Sequence, residues 1–150
     1  MYTNSNAIAG RGSKLEYSVN PPSVPYIEAA EIKTISFSGV KMDLADVTNF
    51  QSSNFREYLP TLNDSGDLAF TGNMIPNDQT EADLVSFFNN QTRVTWQVVL
   101  PATATYPTTA GTFTFVAFVS GIDRSIPVDK EASISGKLKI TGKITFTPGV

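Results

Sequence analysis

Two residue types are missing from this chain of 150 residues: cysteine and histidine. Without thiols there are no disulfides, thiolate metal sites or cysteine nucleophiles. Without imidazole the chain lacks the commonest general base and the commonest transition-metal ligand, so histidine-dependent triads and zinc sites lose their central part. Charge is sparse too, since 11 basic side chains against 14 acidic ones leave a net charge of −3. Tight phosphate binding depends on clustered cations that release counterions, and this balance argues against it. No run approaches the ~18 consecutive apolar residues of a membrane-spanning helix, and the opening MYTNSNAIAGRGSK has no apolar h-region. The expectation is a soluble, unexported chain without a membrane anchor.

What is present is a 41% apolar composition without internal repeats or composition breaks. A chain of this size buries roughly two-thirds of its unfolded surface, enough for one domain over residues 1–150 to fold without staples. Period-two alternation dominates. In KLEYSV, Leu15, Tyr17 and Val19 share one face, which predicts a first strand following an N-terminal arm within residues 1–25. PPSVP at 21–25 removes backbone donors and reads as a link outside any sheet. EIKTISFSG, DLAFTGNMI and RVTWQVVLP continue the strand series, with Leu68, Phe70, Met74, Val94, Trp96, Val98 and Leu100 in core register. The Pro- and Thr-rich PATATYPTTAG marks a loop before GTFTFVAFVSGI, a strand apolar on both sides whose two faces both call for cover. In ASISGKLKITGKITF, Leu138, Ile140, Ile144 and Phe146 oppose Lys137, Lys139, Thr141 and Lys143, with Gly136 and Gly142 signalling a bend or bulge.

One helix interrupts the strands. In PNDQTEADLVSFFNN, Asp78 at the N-cap and Glu81 three residues on form a capping-box pattern, which predicts a helix over residues 79–89. Leu84, Val85, Phe87 and Phe88 make it too apolar to stand alone. The sum is a mainly β fold, an antiparallel sandwich or barrel with one flanking helix and a long loop.

That loop is residues 41–64. Leu44, Val47, Phe50, Phe55, Tyr58 and Leu59 fall only partly at helical spacing, Asn49, Ser52, Ser53 and Asn54 compete for backbone hydrogen bonds, and Pro60 ends any helix. Its aromatics distinguish it from a disordered linker, so a loop ordered by a partner is favoured over a local helix. Other candidates read blandly. Asp43 with Asp46, or Asp64 with Asp67, lack the order of a calcium loop and suit turns instead. Trp96 as a sugar platform yields to its core register, and Glu28 with Glu31 shows nothing of a glycosidase pair.

The run DVTNFQSSNFREYLPTLNDSGDLAF, a capped helix, a strand, and FVAFVSGIDRSIPVDKEASISGKLKITGKI together resemble the major tail tube proteins of long-tailed phages with non-contractile tails. The resemblance runs from about Glu31 to Ile144. It rests on Asp46, Val47 and Thr48, on Arg56, Glu57 and Tyr58, on the turn Asp64, Ser65, Gly66, and on P-V-D-K followed by a strand ending I-T-G-K. Thr61 departs from the Gly often found after the loop proline.

The resemblance implies a virion structural protein and no enzyme, metal or cofactor. It implies hexameric rings stacked into a tube around a tape-measure protein, with terminator and baseplate or tip partners, assembled in the host cytoplasm. DNA passes through the lumen without specific binding, and an acidic or neutral bore suits that passage. Asp46, Thr48, Asn49, Phe50, Phe55, Arg56, Glu57, Tyr58 and Leu59 are then the assembly loop between rings, while Lys137, Lys139 and Lys143 are candidates for charge pairs between subunits. The alternative is a monomeric β-sandwich binding module, or another phage structural protein such as a head decoration or tail adaptor.

Overall fold

The computed structural model describes residues 7–19 and 25–150. The arm before Ala7 and all but Pro25 of the PPSVP link lie outside the described residues. Among the described residues, nine strands and one helix follow in the order β1 (Lys14–Val19), β2 (Ile27–Glu28), β3 (Ile32–Ser38), β4 (Lys41–Asp46), β5 (Tyr58–Asp64), β6 (Asp67–Asn73), α1 (Gln79–Asn90), β7 (Val94–Val99), β8 (Gly111–Ser125) and β9 (Ser133–Pro148). Seven strands form one antiparallel sheet in the order β2-β1-β7-β8-β9-β6-β3. The sheet curls into an open half-barrel, so of the two expected architectures the barrel is the nearer.

Alternation selects the buried face as it does in any half-buried sheet. Leu15 and Tyr17, Val94, Trp96 and Val98, Phe115, Ala117 and Val119, Ile134, Leu138 and Ile140, and Leu68 and Phe70 form one contiguous core. Trp96 is fully buried there, against the ring of Tyr17 at 5.3 Å. The opposite face of β8 is different from the sequence expectation. Val116 and Phe118 are only half-buried, so that face is partly open in the single chain.

Helix α1 packs onto the core side of the sheet. Asp78 caps it by accepting a 3.0 Å bond from the Thr80 amide, and Gln91 ends it in the left-handed region. The expected capping box does not close: the Glu81 carboxylate turns to Arg124 Nε at 2.8 Å, and the Asp78 amide donates to the Ile75 carbonyl instead. The guanidinium is a better-matched, charge-assisted partner, and it ties the helix to the end of β8. Leu84 and Phe87 point into the core, with Phe87 edge-on to Tyr17. The Tyr17 hydroxyl donates to Asp83 Oδ2 at 2.7 Å, fastening helix to sheet. Burial first, and this carboxylate second, push the phenol above its ordinary pKa of 10.0.

The two glycines of β9 act differently. Gly136 lies opposite Phe70 in register, and a Cβ there would stand 2.4 Å from the Phe70 ring, so the missing side chain makes room for the ring. Gly142 (φ +80) sits in a bulge where residues 142–144 face Phe115 alone, between the pairs Thr114↔Thr145 and Val116↔Thr141.

Two outcomes follow from this packing. Gly136→Ala is expected to destabilise the subunit by about 1–3 kcal/mol in urea denaturation, because the ring of Phe70 has nowhere to go in a filled core. The raised Tyr17 phenol favours the folded state while protonated. Its contribution is therefore complete below pH 10 and falls as pH rises beyond it, and alkaline denaturation of Tyr17→Phe should lack that component.

Candidate assembly interface

The passage 41–64 is not a helix, and its two arms are strands. It is a β-ribbon, with Lys41↔Asp64, Met42↔Asn63, Leu44↔Pro60, Ala45↔Leu59 and Asp46↔Tyr58 in antiparallel register. Pro60 is tolerated because a register shift lies beside it, between Met42 and Leu44, where Thr61 Oγ1 donates to the Asp43 carbonyl at 3.0 Å. The ribbon forms a separate two-stranded sheet.

The ribbon extends the β3–β6 pair, whose last rung is Ser38↔Asp67. Between that rung and Lys41↔Asp64 the two chains turn a corner on Gly39 (φ +79) and Gly66 (φ +80). A Cβ on Gly66 would lie 2.0 Å from the Ser38 carbonyl oxygen, so only glycine lets the two chains cross so closely there. Asp64 Oδ1 accepts from the Gly66 amide at 2.8 Å, Ile140 donates its amide to the Gly66 carbonyl at 3.2 Å, and Ser65 Oγ donates to the Gly142 carbonyl. Lys139 Nζ stands 3.4 Å from carboxylate oxygens of both Asp64 and Asp67. The two aspartates thus serve the turn and a lysine.

The tip, residues 47–57, is folded by its own polar groups. The Val47 amide donates to the Glu57 carbonyl at 2.9 Å, and the Glu57 amide to Thr48 Oγ1 at 2.8 Å. Asp46 Oδ1 accepts from the Thr48 amide at 3.0 Å, and Asn49 Oδ1 from the Gln51 amide at 2.9 Å. Ser52 Oγ donates to the Glu57 carboxylate, and Arg56 pairs with Asp46 at 3.2 Å. Bonds to Thr48, and then the Arg56 guanidinium, hold the Asp46 carboxyl below the usual aspartate range.

The structure therefore divides the expected assembly residues into two groups. Asp46, Thr48, Asn49, Arg56 and Glu57 shape the tip. Phe50, Phe55, Tyr58 and Leu59 are left exposed, Phe50 completely and Phe55 at 80%, and Val40, Met42, Leu44 and Leu62 along the ribbon are exposed with them. Three of these, Val40, Met42 and Leu62, lie outside the residues singled out from sequence. The signal for Val40 and Met42 was their alternation, with Leu44, against Lys41 and Asp43. Lys139 is paired within its own chain, whereas Lys137 and Lys143 form no ion pair among the described residues.

Past Ile140, β9 runs beyond the end of β6. Pairing with β6 stops at Lys139, while pairing with β8 continues to Pro148. An open groove of about 900 Å³ lies between this overhang and the foot of the ribbon, lined by Val40, Met42, Leu62, Ile140 and Ile144.

The Gly66 amide first, and Lys139 second, hold Asp64 below its ordinary pKa of 3.8. A depressed carboxyl stabilises the fold above its unfolded pKa and loses that contribution as pH falls through the folded one. Acidification below about pH 4 should therefore loosen the corner before the core. The Gly66 amide resonance is expected to titrate there in NMR spectra, and Asp64→Asn to abolish that titration.

Comparison with known proteins fits this geometry. Residues 11–147 match the family described as lambda phage tail tube protein. No curated protein sequence matches the chain. Similar folds occur in the tail of an empty gene transfer agent particle refined with helical C6 symmetry (TM-score 0.73, 19% identity, covering 94% of this chain and 99% of that one). They occur also in the SPP1 tail tube (0.70, 14%, 96% and 81%) and in the anti-feeding prophage baseplate (0.75, 8%, 97% and 97%). With the match covering nearly the whole sheet and the ribbon, this chain belongs to the lambda phage tail tube protein family.

Proposed function

We propose that the chain polymerises as stacked hexameric rings into a phage tail tube, a structural conduit through which DNA leaves the virion. The observation that carries this reading is the ribbon β4–β5, ordered by its own hydrogen bonds yet exposing apolar side chains along its length. A contiguous apolar surface on a soluble domain marks a contact site. Burying Phe50 and Phe55 alone stabilises a contact by about 1.5–3 kcal/mol each before association costs. Repeated around and along a tube, such contacts accumulate.

A tube needs one heterologous contact that closes into a ring and another that does not close. The free edges of the sheet, β2 on one side and β3 with the β9 overhang on the other, suit side-by-side contacts within a ring. The ribbon, standing off the sheet, suits contact between rings. A net charge of −3 suits a conduit that DNA must not stick to. In this reading the tube grows around a tape-measure protein in the host cytoplasm, is closed by a terminator and joins baseplate or tip proteins. Structures of similar fold include a tube-terminating cap and a baseplate component, which supports contacts at both ends.

The competing reading, a monomeric module that binds sugars, needs aromatics on an open sheet face. Trp96 and Phe115 are buried, and the most exposed aromatics sit on the ribbon tip.

Phe50→Ser combined with Phe55→Ser tests the proposal. Subunit stability should change by less than about 1 kcal/mol, because exposed side chains contribute little to folding, while negative-stain microscopy should show loss of tubes. Tubes of normal length from the double variant would overturn the role of the ribbon. An unmodified chain that stays monomeric at high concentration would overturn the polymer.

A further inference from the structure

We propose that the groove between the foot of the ribbon and the β9 overhang is the seat for the ribbon tip of a second copy of this chain. The inference rests on the tube reading and names the surface that the tip contacts.

The ribbon carries both halves of the contact, at opposite ends. Phe50 and Phe55 project from the tip, while Val40, Met42, Leu62, Ile140 and Ile144 line an unfilled groove at the foot. About 900 Å³ accommodates two phenyl rings with the backbone that carries them. The tip cannot reach its own groove. The rungs Lys41↔Asp64 and Asp46↔Tyr58 are five residues apart along β4, roughly 17 Å of paired strand at 3.4 Å per residue, and the strand pairing keeps them apart.

Charge agrees with this occupant. Lys143 stands at the groove with no ion pair among the described residues, and Glu57 at the tip has only the Ser52 hydroxyl on its carboxylate. Lys41, Asp43 and Asp64 also border the groove, on the ribbon side, so the match is to Lys143 on the β9 wall. The tip's shape is already set by Asp46, Thr48, Asn49 and Ser52, so docking requires little further ordering. Joined head to tail, tip and groove make a heterologous contact. Each seated copy then presents a free tip or a free groove to the next.

The absence of cysteine makes the test direct. Ser53→Cys at the tip and Thr141→Cys at the groove are introduced together, and assembled tubes are oxidised. The expected result is a ladder of disulfide-linked oligomers in denaturing gels that collapses on reduction, with monomers from each single variant. Tubes visible by microscopy but no ladder would overturn the docking site while leaving the tube reading intact. A ladder from Ser53→Cys with Lys130→Cys on the β8–β9 loop, and none with Thr141→Cys, would overturn it too. No tubes from the unmodified chain would overturn the tube reading and this inference with it. A charge exchange gives an independent readout. Glu57→Lys and Lys143→Glu should each slow polymerisation by about tenfold, and together restore it; failure of the pair to restore the rate would overturn the predicted contact.

Discussion

The missing Cβ of Gly66 governs the architecture. With the Ser38 carbonyl oxygen at 2.0 Å from where that carbon would stand, the β3–β4 and β5–β6 chains can cross only with glycine there, at a positive φ that glycine adopts readily. Their crossing turns one long antiparallel pair into two. The first half, β3–β6, joins the curled sheet and buries Leu68 and Phe70. The second half leaves it as the β4–β5 ribbon. Asp64, Ser65 and Lys139 then fix the corner from three sides, so the ribbon's direction is set by hydrogen bonds and charge within a single subunit.

Two consequences of that corner oppose one another energetically. Within the sheet, each apolar side chain on the concave face contributes burial, and Trp96, Tyr17 and Phe70 fill the space closely enough that Gly136 must be bare. On the ribbon, equally apolar side chains contribute nothing to the isolated fold and expose surface to water. A protein retains such a cost where another surface relieves it. In the proposed tube, that surface belongs to a further subunit. The same departure of the ribbon leaves β9 overhanging β6, which opens the groove beside it.

The sheet strands and the helix were legible because their apolar residues repeat at the period of the element and one face is buried. Leu15 and Tyr17, Val94, Trp96 and Val98, and Leu138 and Ile140 carried that signal and all lie in the core. The ribbon was not legible for the complementary reason. Neither face is buried by its own subunit, the alternation of Val40, Met42 and Leu44 with Lys41 and Asp43 is short and breaks at Ala45, and Pro60 reads as a stop unless the adjacent register shift is known. Glu81 followed the capping-box pattern but met Arg124, a partner 43 positions away in sequence that local spacing cannot reveal.

The sequence by itself determined the mainly β class, the helix, the exclusion of thiol and imidazole chemistry, and the tail tube resemblance. These depend on composition and on contacts near in sequence. Tertiary structure alone decided that residues 41–64 form a ribbon, that Lys139 is occupied by Asp64 and Asp67, and that a groove opens beside β9. Each of those arises where segments distant along the chain meet at a corner, and a one-dimensional pattern carries no measure of that distance.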